Sequence, residues 1–175
     1  MDIRQADSYK DRAIIKDLFF EYLTWVSECL EKEFGIHVEV MNKVEEDMTK
    51  LDAFSPPTGR LLLAFEGEIP AGIGCLRRIR SDTGEIKRMY VKPEFRGRGV
   101  GRSLLEALIA GAKGIGYPLL RLESARFMVS AQTLYQAMGF SLREPYAESE
   151  IPLEYQQHWV FMEKQIYSLV TIYRL

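Results

Sequence analysis

The fifteen residues Met89-Tyr90-Val91-Lys92-Pro93-Glu94-Phe95-Arg96-Gly97-Arg98-Gly99-Val100-Gly101-Arg102-Ser103 leave the chain few folds to choose from. Met89, Tyr90 and Val91 are good strand formers. Pro93 then closes the strand, because proline cannot donate to a ladder and restricts Lys92 before it. Three glycines follow at alternate positions among arginines, and Ser103-Leu104-Leu105-Glu106-Ala107-Leu108-Ile109 reads as helix. A strand, a glycine turn and a helix N-terminus together suit an anion. Glycines let backbone N–H groups approach it, and the helix dipole favours negative charge. The stretch predicts a site for a phosphate-bearing cofactor.

Hairpins precede it. Arg60 to Phe65 is compact and apolar, and Glu66-Gly67-Glu68 makes a tight turn. Ala71 to Ile79 returns as a strand in which Gly72 and Gly74 point to a bulge or a close backbone approach. Ser81-Asp82-Thr83-Gly84 is a further turn before a strand from Glu85 to Val91. Turns this short join antiparallel neighbours. After the glycines, Val100, Leu104, Leu105, Leu108, Ile109 and Ala112 mark the buried stripe of a helix that Gly114 and Gly116 stop. Pro118 to Ser124 is then a strand parallel to the one ending at Val91, because a helical crossover separates them.

The flanks fill in the rest. Asp2 to Gln5 is a short first strand, and Ser8-Tyr9-Lys10-Asp11 resembles a capping box. From Ile14 and Ile15 through Leu18, Phe19, Tyr22, Leu23, Val26, Cys29 and Leu30, apolar residues recur at helical spacing until Gly35. Met41 to Leu51 is a weaker, acidic helix, and Ser55 to Gly59 is a loop. Ser130 is placed to cap a short helix through Met138, with Gly139 at its C′ position. Phe140 to Arg143 and His158 to Lys164 are the last strands, and Glu144 to Gln157 between them has no clear period. Ile166 to Leu175 is an extra strand or a partner surface. Hairpins, one βαβ crossover, a short helix and a hairpin describe an α/β chain of the mixed-sheet (α+β) kind, with helices on its faces.

At 175 residues the chain is long enough for one domain with a sizeable core, taken as residues 1–165 with the tail 166–175. A net charge of −2 gives no general affinity for nucleic acid or a membrane surface. No apolar run approaches a membrane span and Met1 to Lys10 is polar, so a cytoplasmic chain is expected. Cys29 and Cys75 both sit in apolar patterns and read as buried, reduced thiols. With only His37 and His158 beside them, a metal site has little to draw on, and none is expected.

A dinucleotide-binding turn needs G-x-G-x-x-G opening a parallel unit. Gly97-Arg98-Gly99-Val100-Gly101-Arg102-Ser103 has the wrong final spacing and follows antiparallel strands, and no Gly-Lys-Ser/Thr follows to make a P-loop. The stretch instead resembles motif A of the GNAT superfamily of acyl-CoA N-acyltransferases. Val91-x-Pro93-x-x-Arg96-Gly97-Arg98-Gly99-Val100-Gly101 is similar to that family's Arg/Gln-x-x-Gly-x-Gly/Ala core. Ala131-Gln132-Thr133-Leu134-Tyr135-Gln136-Ala137-Met138-Gly139-Phe140 resembles its motif B, Ala-x-x-Leu-Tyr-x-x-x-Gly-Phe. The order of elements matches over residues 1–165, and the motifs match over residues 85–140.

The resemblance implies a central, mostly antiparallel sheet splayed between two parallel strands, with helices on both faces. It implies acetyl-CoA as co-substrate, its pyrophosphate held by backbone N–H groups of Arg96, Gly97, Arg98, Gly99, Val100 and Gly101. Arg96, Arg98 and Arg102 are candidates to face phosphate. The pantetheine arm would pair with main-chain groups of the strand Met89-Tyr90-Val91, as if it were an added strand. Tyr135 matches the tyrosine that sits near the coenzyme sulfur and can protonate the departing thiolate. Glu85 lies eleven positions before Arg96, where histone-acetylating members carry a glutamate that deprotonates the amine, often through water. Strand alternation puts Glu85 on the face of Met89 and Val91. One departure is Met128, which stands where motif B often has an asparagine, three residues before its alanine.

The activity so implied is transfer of an acetyl group to a primary amine by direct attack in a ternary complex. The alternative is a non-catalytic acyl-CoA-binding module that senses or regulates. The acceptor, a small-molecule amine or a lysine-bearing substrate, would lie between Glu31–Ser55 and Glu144–Gln157. Both segments are rich in acids, which fits a solvated acidic surface first and a cationic acceptor second. Neither nucleic acid nor a membrane is expected as partner, and a homodimer stays open.

Overall fold

The computed structural model describes residues 1–166, so the extra strand or partner surface expected of the tail lies, beyond Ile166, outside the described residues. β1 (Asp2–Gln5), β2 (Arg60–Glu66), β3 (Ile69–Arg80) and β4 (Thr83–Val91) run antiparallel, each beside the last. β5 (Leu119–Ala125) lies parallel to β4. β6 (Ser141–Arg143) and β7 (Trp159–Gln165) extend the sheet antiparallel, giving seven strands in the order β1-β2-β3-β4-β5-β7-β6. The mixed α/β class is the one the sequence predicts.

Helices cover both faces. On one side α1 (Arg12–Phe34) and α2 (Val40–Thr49) bury Ile15, Leu18, Phe19, Val44 and Met48 against Leu61, Leu63, Ile73 and Cys75. On the other, α3 (Val100–Ile115) buries its whole predicted stripe, and Tyr135 of α4 (Val129–Ala137) joins the same core. Each fully buried aliphatic or aromatic side chain contributes roughly 1.5–3 kcal/mol by leaving water. Beyond the helices, the α1 face of β4, β5 and β7 is covered by the chain between Arg143 and Trp159, which ends in a short 3-10 turn, Leu153–His158. Among the described residues no helix is long and apolar enough to cross a membrane, and no group of three or more His, Cys, Asp or Glu side chains could hold a metal ion.

Several local readings change. Ser8 caps nothing: the Asp7 carboxylate accepts the N–H groups of Tyr9 and Lys10 (both 2.9 Å). Asp11 in turn accepts the Asp7 N–H (2.8 Å) and both terminal nitrogens of Arg4. A carboxylate makes the stronger, charge-assisted bond, and it takes the place expected of the serine hydroxyl. α4 likewise starts at Val129, which puts Ser130 inside its first turn, and there is no side-chain cap. Gln132 reaches back instead to the Ala125 carbonyl (2.8 Å). Thr83 and Gly84 belong to β4 rather than to the turn before it. Gly114 lies within α3, which ends at Gly116. Cys75 is buried as expected, but Cys29 is only half-buried.

Candidate active site

The site begins where β4 and β5 part. Their parallel pairing runs only from Thr83 and Leu119 to Ile86 and Leu122. Past that point β5 continues on β7 alone, so the edges of Lys87–Val91 and Glu123–Ala125 that face each other carry no ladder. β4 also bulges there. Arg88 and Met89 together oppose Gly74, and Arg88 adopts φ 53°, a left-handed conformation uncommon outside glycine. A Cβ on Gly74 would lie 2.8 Å from Met89 Sδ and 2.9 Å from Leu108 Cδ1, so any larger residue across from the bulge would have to displace those side chains. Arg88 is held in this conformation by a two-pronged ion pair with buried Asp47 of α2 (2.6 and 2.9 Å).

The bulge reverses strand parity, and this overturns one geometric expectation. Glu85 and Lys87 point to the α1 side with Cys75 and Arg77, whereas Met89 and Val91 point to the α3 side. Glu85 therefore does not share a face with Met89 and Val91. It is fully buried; Arg77 Nε donates to one oxygen (2.7 Å) and the Tyr146 hydroxyl to the other (2.7 Å). It lines neither of the cavities described next.

A cleft of about 470 Å³ occupies the gap. Its walls are β4 from Ile86 to Val91, Glu123 and Ser124 of β5, the turn into α3, and the first residues of α4 with Tyr135. Gly97 and Gly99 take φ 74° and 84°, and Gly99 is the N-cap of α3 with no side-chain cap. The Gly99 carbonyl accepts the first helical bond, from Ser103, so the N–H groups of Val100, Gly101 and Arg102 precede the ladder. Arg96 lies inside the cleft: its Nε donates to the Val91 carbonyl (3.0 Å), and its guanidinium sits over the rings of Trp25 and Tyr90. Arg102 lines the cleft. Arg98 does not, because it turns away to Glu66 (2.9 Å). Tyr90 contributes main chain there, while its ring packs toward α1 beside Tyr22. Tyr135 is nearly buried against Phe140, and burial pushes its hydroxyl above the ordinary tyrosine range, so it is a neutral donor at physiological pH.

A second cavity of about 380 Å³ opens from the α1 side, between residues 36–43 and 150–155, as the acceptor was expected to lie. The two cavities share Tyr22, Ile86, Lys87, Arg88, Glu123 and Met128, so each opens onto the gap between β4 and β5. The acids of the two flanking segments are mostly engaged with internal cations. Glu46 pairs with Lys43 and Lys50, Asp47 with Arg88, Glu148 with Arg80, and Glu150 with Arg77 and Lys87.

Glu123 is different. Its side chain is 7% exposed, one oxygen stands 3.7 Å from Lys87 Nζ, and the other, Oε1, has no partner among the described residues. Burial raises its pKa; Lys87 and the Ser149 hydroxyl oppose that, and Glu85 adds to it. Sequence reading passes over Glu123. The signal was present in Leu120-Arg121-Leu122-Glu123, whose alternation assigns one strand face to charge.

Against known proteins, a family model described as Acetyltransferase (GNAT) family matches residues 20–140. The chain is 32% identical over 131 residues to an uncharacterized N-acetyltransferase of Schizosaccharomyces pombe, covering 73% of this chain and 78% of that one. It is 34% identical over 121 residues to an IAA acetyltransferase of Azospirillum brasilense, with 66% and 74% covered. Among solved structures, the PaiA N-acetyltransferase of Thermoplasma acidophilum in complex with coenzyme A superposes with a TM-score of 0.72 at 21% identity, covering 94% of this chain and 98% of that one.

Proposed function

Because the chain belongs to the acetyltransferase (GNAT) family, we propose that it moves an acetyl group from acetyl-CoA to a primary amine, both held at once in cavities that meet at Glu123. The observation that carries this reading is the splay of β4 from β5. It supplies a cleft edged by unpaired main chain and joins it to a second, side-chain-lined cavity.

The residues present suit coenzyme A. The uncapped start of α3, with left-handed Gly97 and Gly99 before it, directs backbone N–H groups at a diphosphate. Main-chain groups of Met89 to Val91 are placed to pair with an extended amide-bearing arm. Arg96 would release the Val91 carbonyl to that arm and turn to phosphate; Arg102 is a second candidate at the same helix start. When bound, the thioester supplies an electrophilic carbonyl carbon and a thiolate leaving group.

This chain's side chains then move two protons. The acceptor enters as an ammonium, whose first proton must leave before nitrogen can attack. We assign that proton to Glu123 in preference to Glu85. Glu123 has a free oxygen at the junction of the cavities and a raised pKa, whereas both oxygens of Glu85 already accept hydrogen bonds. Glu85 becomes a positioning residue, fixing Arg77 and Tyr146 behind Lys87. The carbon–nitrogen bond forms as the carbon–sulfur bond breaks, and β4 main-chain N–H groups stabilise the charge that develops on the carbonyl oxygen. Tyr135 donates its proton to the sulfur and is reprotonated from solvent, and the amine's second proton leaves to solvent, to which Glu123 also releases the first.

Calorimetric titration with acetyl-CoA, followed by a thiol-release assay over a panel of amines, tests the reading. Saturable binding with amine-dependent thiol release is the expected result. Binding without release from any amine would leave a sensing module in place of an enzyme, and no binding would remove both.

A further inference from the structure

The second cavity lacks the glycine turn and the helix N-terminus that edge the first, and its walls are mostly apolar side chains. Val26 and Leu30 of α1, Ile36 beyond it, and Ile151, Tyr155 and Trp159 on the opposite wall form a greasy chamber. At about 380 Å³ it is of small-molecule size.

The charges around it are distributed in a way that selects. Four cationic side chains line the chamber, and each is already engaged. Arg88 is forked onto Asp47, and Lys43 lies 2.8 Å from Glu46 and 3.6 Å from Asp47. Lys87 is 2.8 Å from Glu150, and His37 bridges Glu31 and Glu39. A carboxylate on the acceptor would have to share a cation that already holds an internal carboxylate. Of the chamber's two carboxylates, Glu150 is held by Lys87 and Arg77, so a second ammonium on the acceptor would meet no free anion. Among the described residues, the one buried polar side-chain atom of the chamber without a hydrogen-bond partner is Glu123 Oε1, and Glu123 lines both this chamber and the coenzyme cleft. A buried carboxylate oxygen without a donor is costly, and an incoming ammonium supplies the donor.

Resting on the transfer reading above, we propose that the acceptor is a monoamine: one primary amino group on an aromatic or branched aliphatic body, with no carboxylate and no second charge. The body fills the chamber, and the amino group docks on Glu123 Oε1, which takes its proton. Phenethylamine has this chemistry. Phenylalanine adds a carboxylate, spermidine adds charges, and a lysine peptide adds a chain for which the chamber has no polar groove.

Thiol-release kinetics of the full chain with these four amines test it, with acetyl-CoA affinity measured in parallel. Phenethylamine should exceed phenylalanine in kcat/KM by about 100-fold or more, since a buried unpaired carboxylate is heavily penalised. It should also exceed spermidine and the peptide. Val26→Trp fills the chamber from α1 and should lower kcat/KM for phenethylamine about tenfold or more, with acetyl-CoA affinity unchanged as evidence of folding. Equal or better use of phenylalanine, spermidine or peptide overturns the inference. So does acetyl-CoA binding with no turnover of phenethylamine, or a folded Val26→Trp protein with unchanged phenethylamine kinetics. Each of these leaves acyl transfer standing. Failure of the wild-type protein to bind acetyl-CoA at all strikes at the transfer reading, and the inference falls with it.

Discussion

Glu123 and Lys87 face each other at 3.7 Å across the gap where β4 and β5 no longer pair. Lys87 is shared: Glu150 is nearer at 2.8 Å and Glu85 lies at 3.6 Å, so Glu123 receives only part of its charge. The result is a carboxylate that burial leaves more basic than usual, at the point where the proposed transfer would collect a proton.

Glu123→Gln should lower kcat/KM by about 10² or more, the range typical of a general base. The wild-type rate should fall on the acid side with a pKa above the ordinary glutamate value, and that limb should vanish in the variant. The same change should raise the melting temperature at pH 7. A folded-state carboxylate pKa above its unfolded value costs stability above the unfolded pKa, and the cost disappears as pH falls through the ordinary range near 4.5. Rate profiles and thermal melts across pH check both. A merely structural glutamate would lose stability instead.

Tyr135→Phe should reduce kcat by about 10² with acetyl-CoA affinity unchanged. Because burial holds the hydroxyl above the usual tyrosine range, the wild-type rate should show no basic limb at ordinary tyrosine pKa. An unimpaired rate in the variant would remove the acid role.

Arg88→Met leaves buried Asp47 with only Lys43, 3.6 Å away, as a cationic neighbour and should cost about 3 kcal/mol in denaturant unfolding. The double change Asp47→Leu with Arg88→Met removes both charges and should cost much less. Both proteins lose the clamp on the β4 bulge, so the double variant, although folded, should show a higher KM for acetyl-CoA. Equal unfolding free energies for the single and double variants would contradict the pair's role.

Acid should loosen the fold in a defined window. Lys43 and Lys50 bring Glu46 down to about 2. Burial opposes the shift at Glu150, yet Lys87 and Arg77 hold it well below its ordinary value. Arg4 likewise lowers Asp11. Depressed folded pKa values mean stability that is fully present above the unfolded values, near 4, and lost as pH falls through the folded ones. Melting temperatures should therefore hold from about pH 7 to 5 and drop progressively below about pH 4, apart from the opposite contribution of Glu123.

The hairpins from β2 to β4, the parallel partner across α3, the α3 stripe and the glycine turn are legible in the sequence because proline, glycine and apolar period act locally on each of them. The insertion of β7 between β5 and β6 is not, because it rests on contacts between distant segments. Arg98 was indistinguishable from Arg96 and Arg102 in the sequence, since its partner Glu66 is 32 positions away. The β4 bulge was hidden for the same reason. Arginine at φ 53° has no local signature, and Asp47, which holds it, lies 41 positions upstream. Alternation counted through that bulge puts Glu85 on the wrong face of the strand. Ser8 and Ser130 carry the right residue type for a cap, but the Asp7 carboxylate takes the N–H groups near Ser8, and α4 starts at Val129, ahead of Ser130, with no side-chain cap.

The splay also divides the site by the material it is made from. On the proposed reading, the phosphate cradle and the strand edge of the coenzyme half are peptide groups and glycines, which stay the same through most single substitutions elsewhere. The acceptor half consists of side chains on α1, on β5 and on the segment leading into β7, each replaceable without touching a coenzyme-facing amide. A lineage carrying this fold could therefore change its amine in small steps while its donor stays constant, and sequence identity along the glycine turn, residues 96–102, says little about which amine that is.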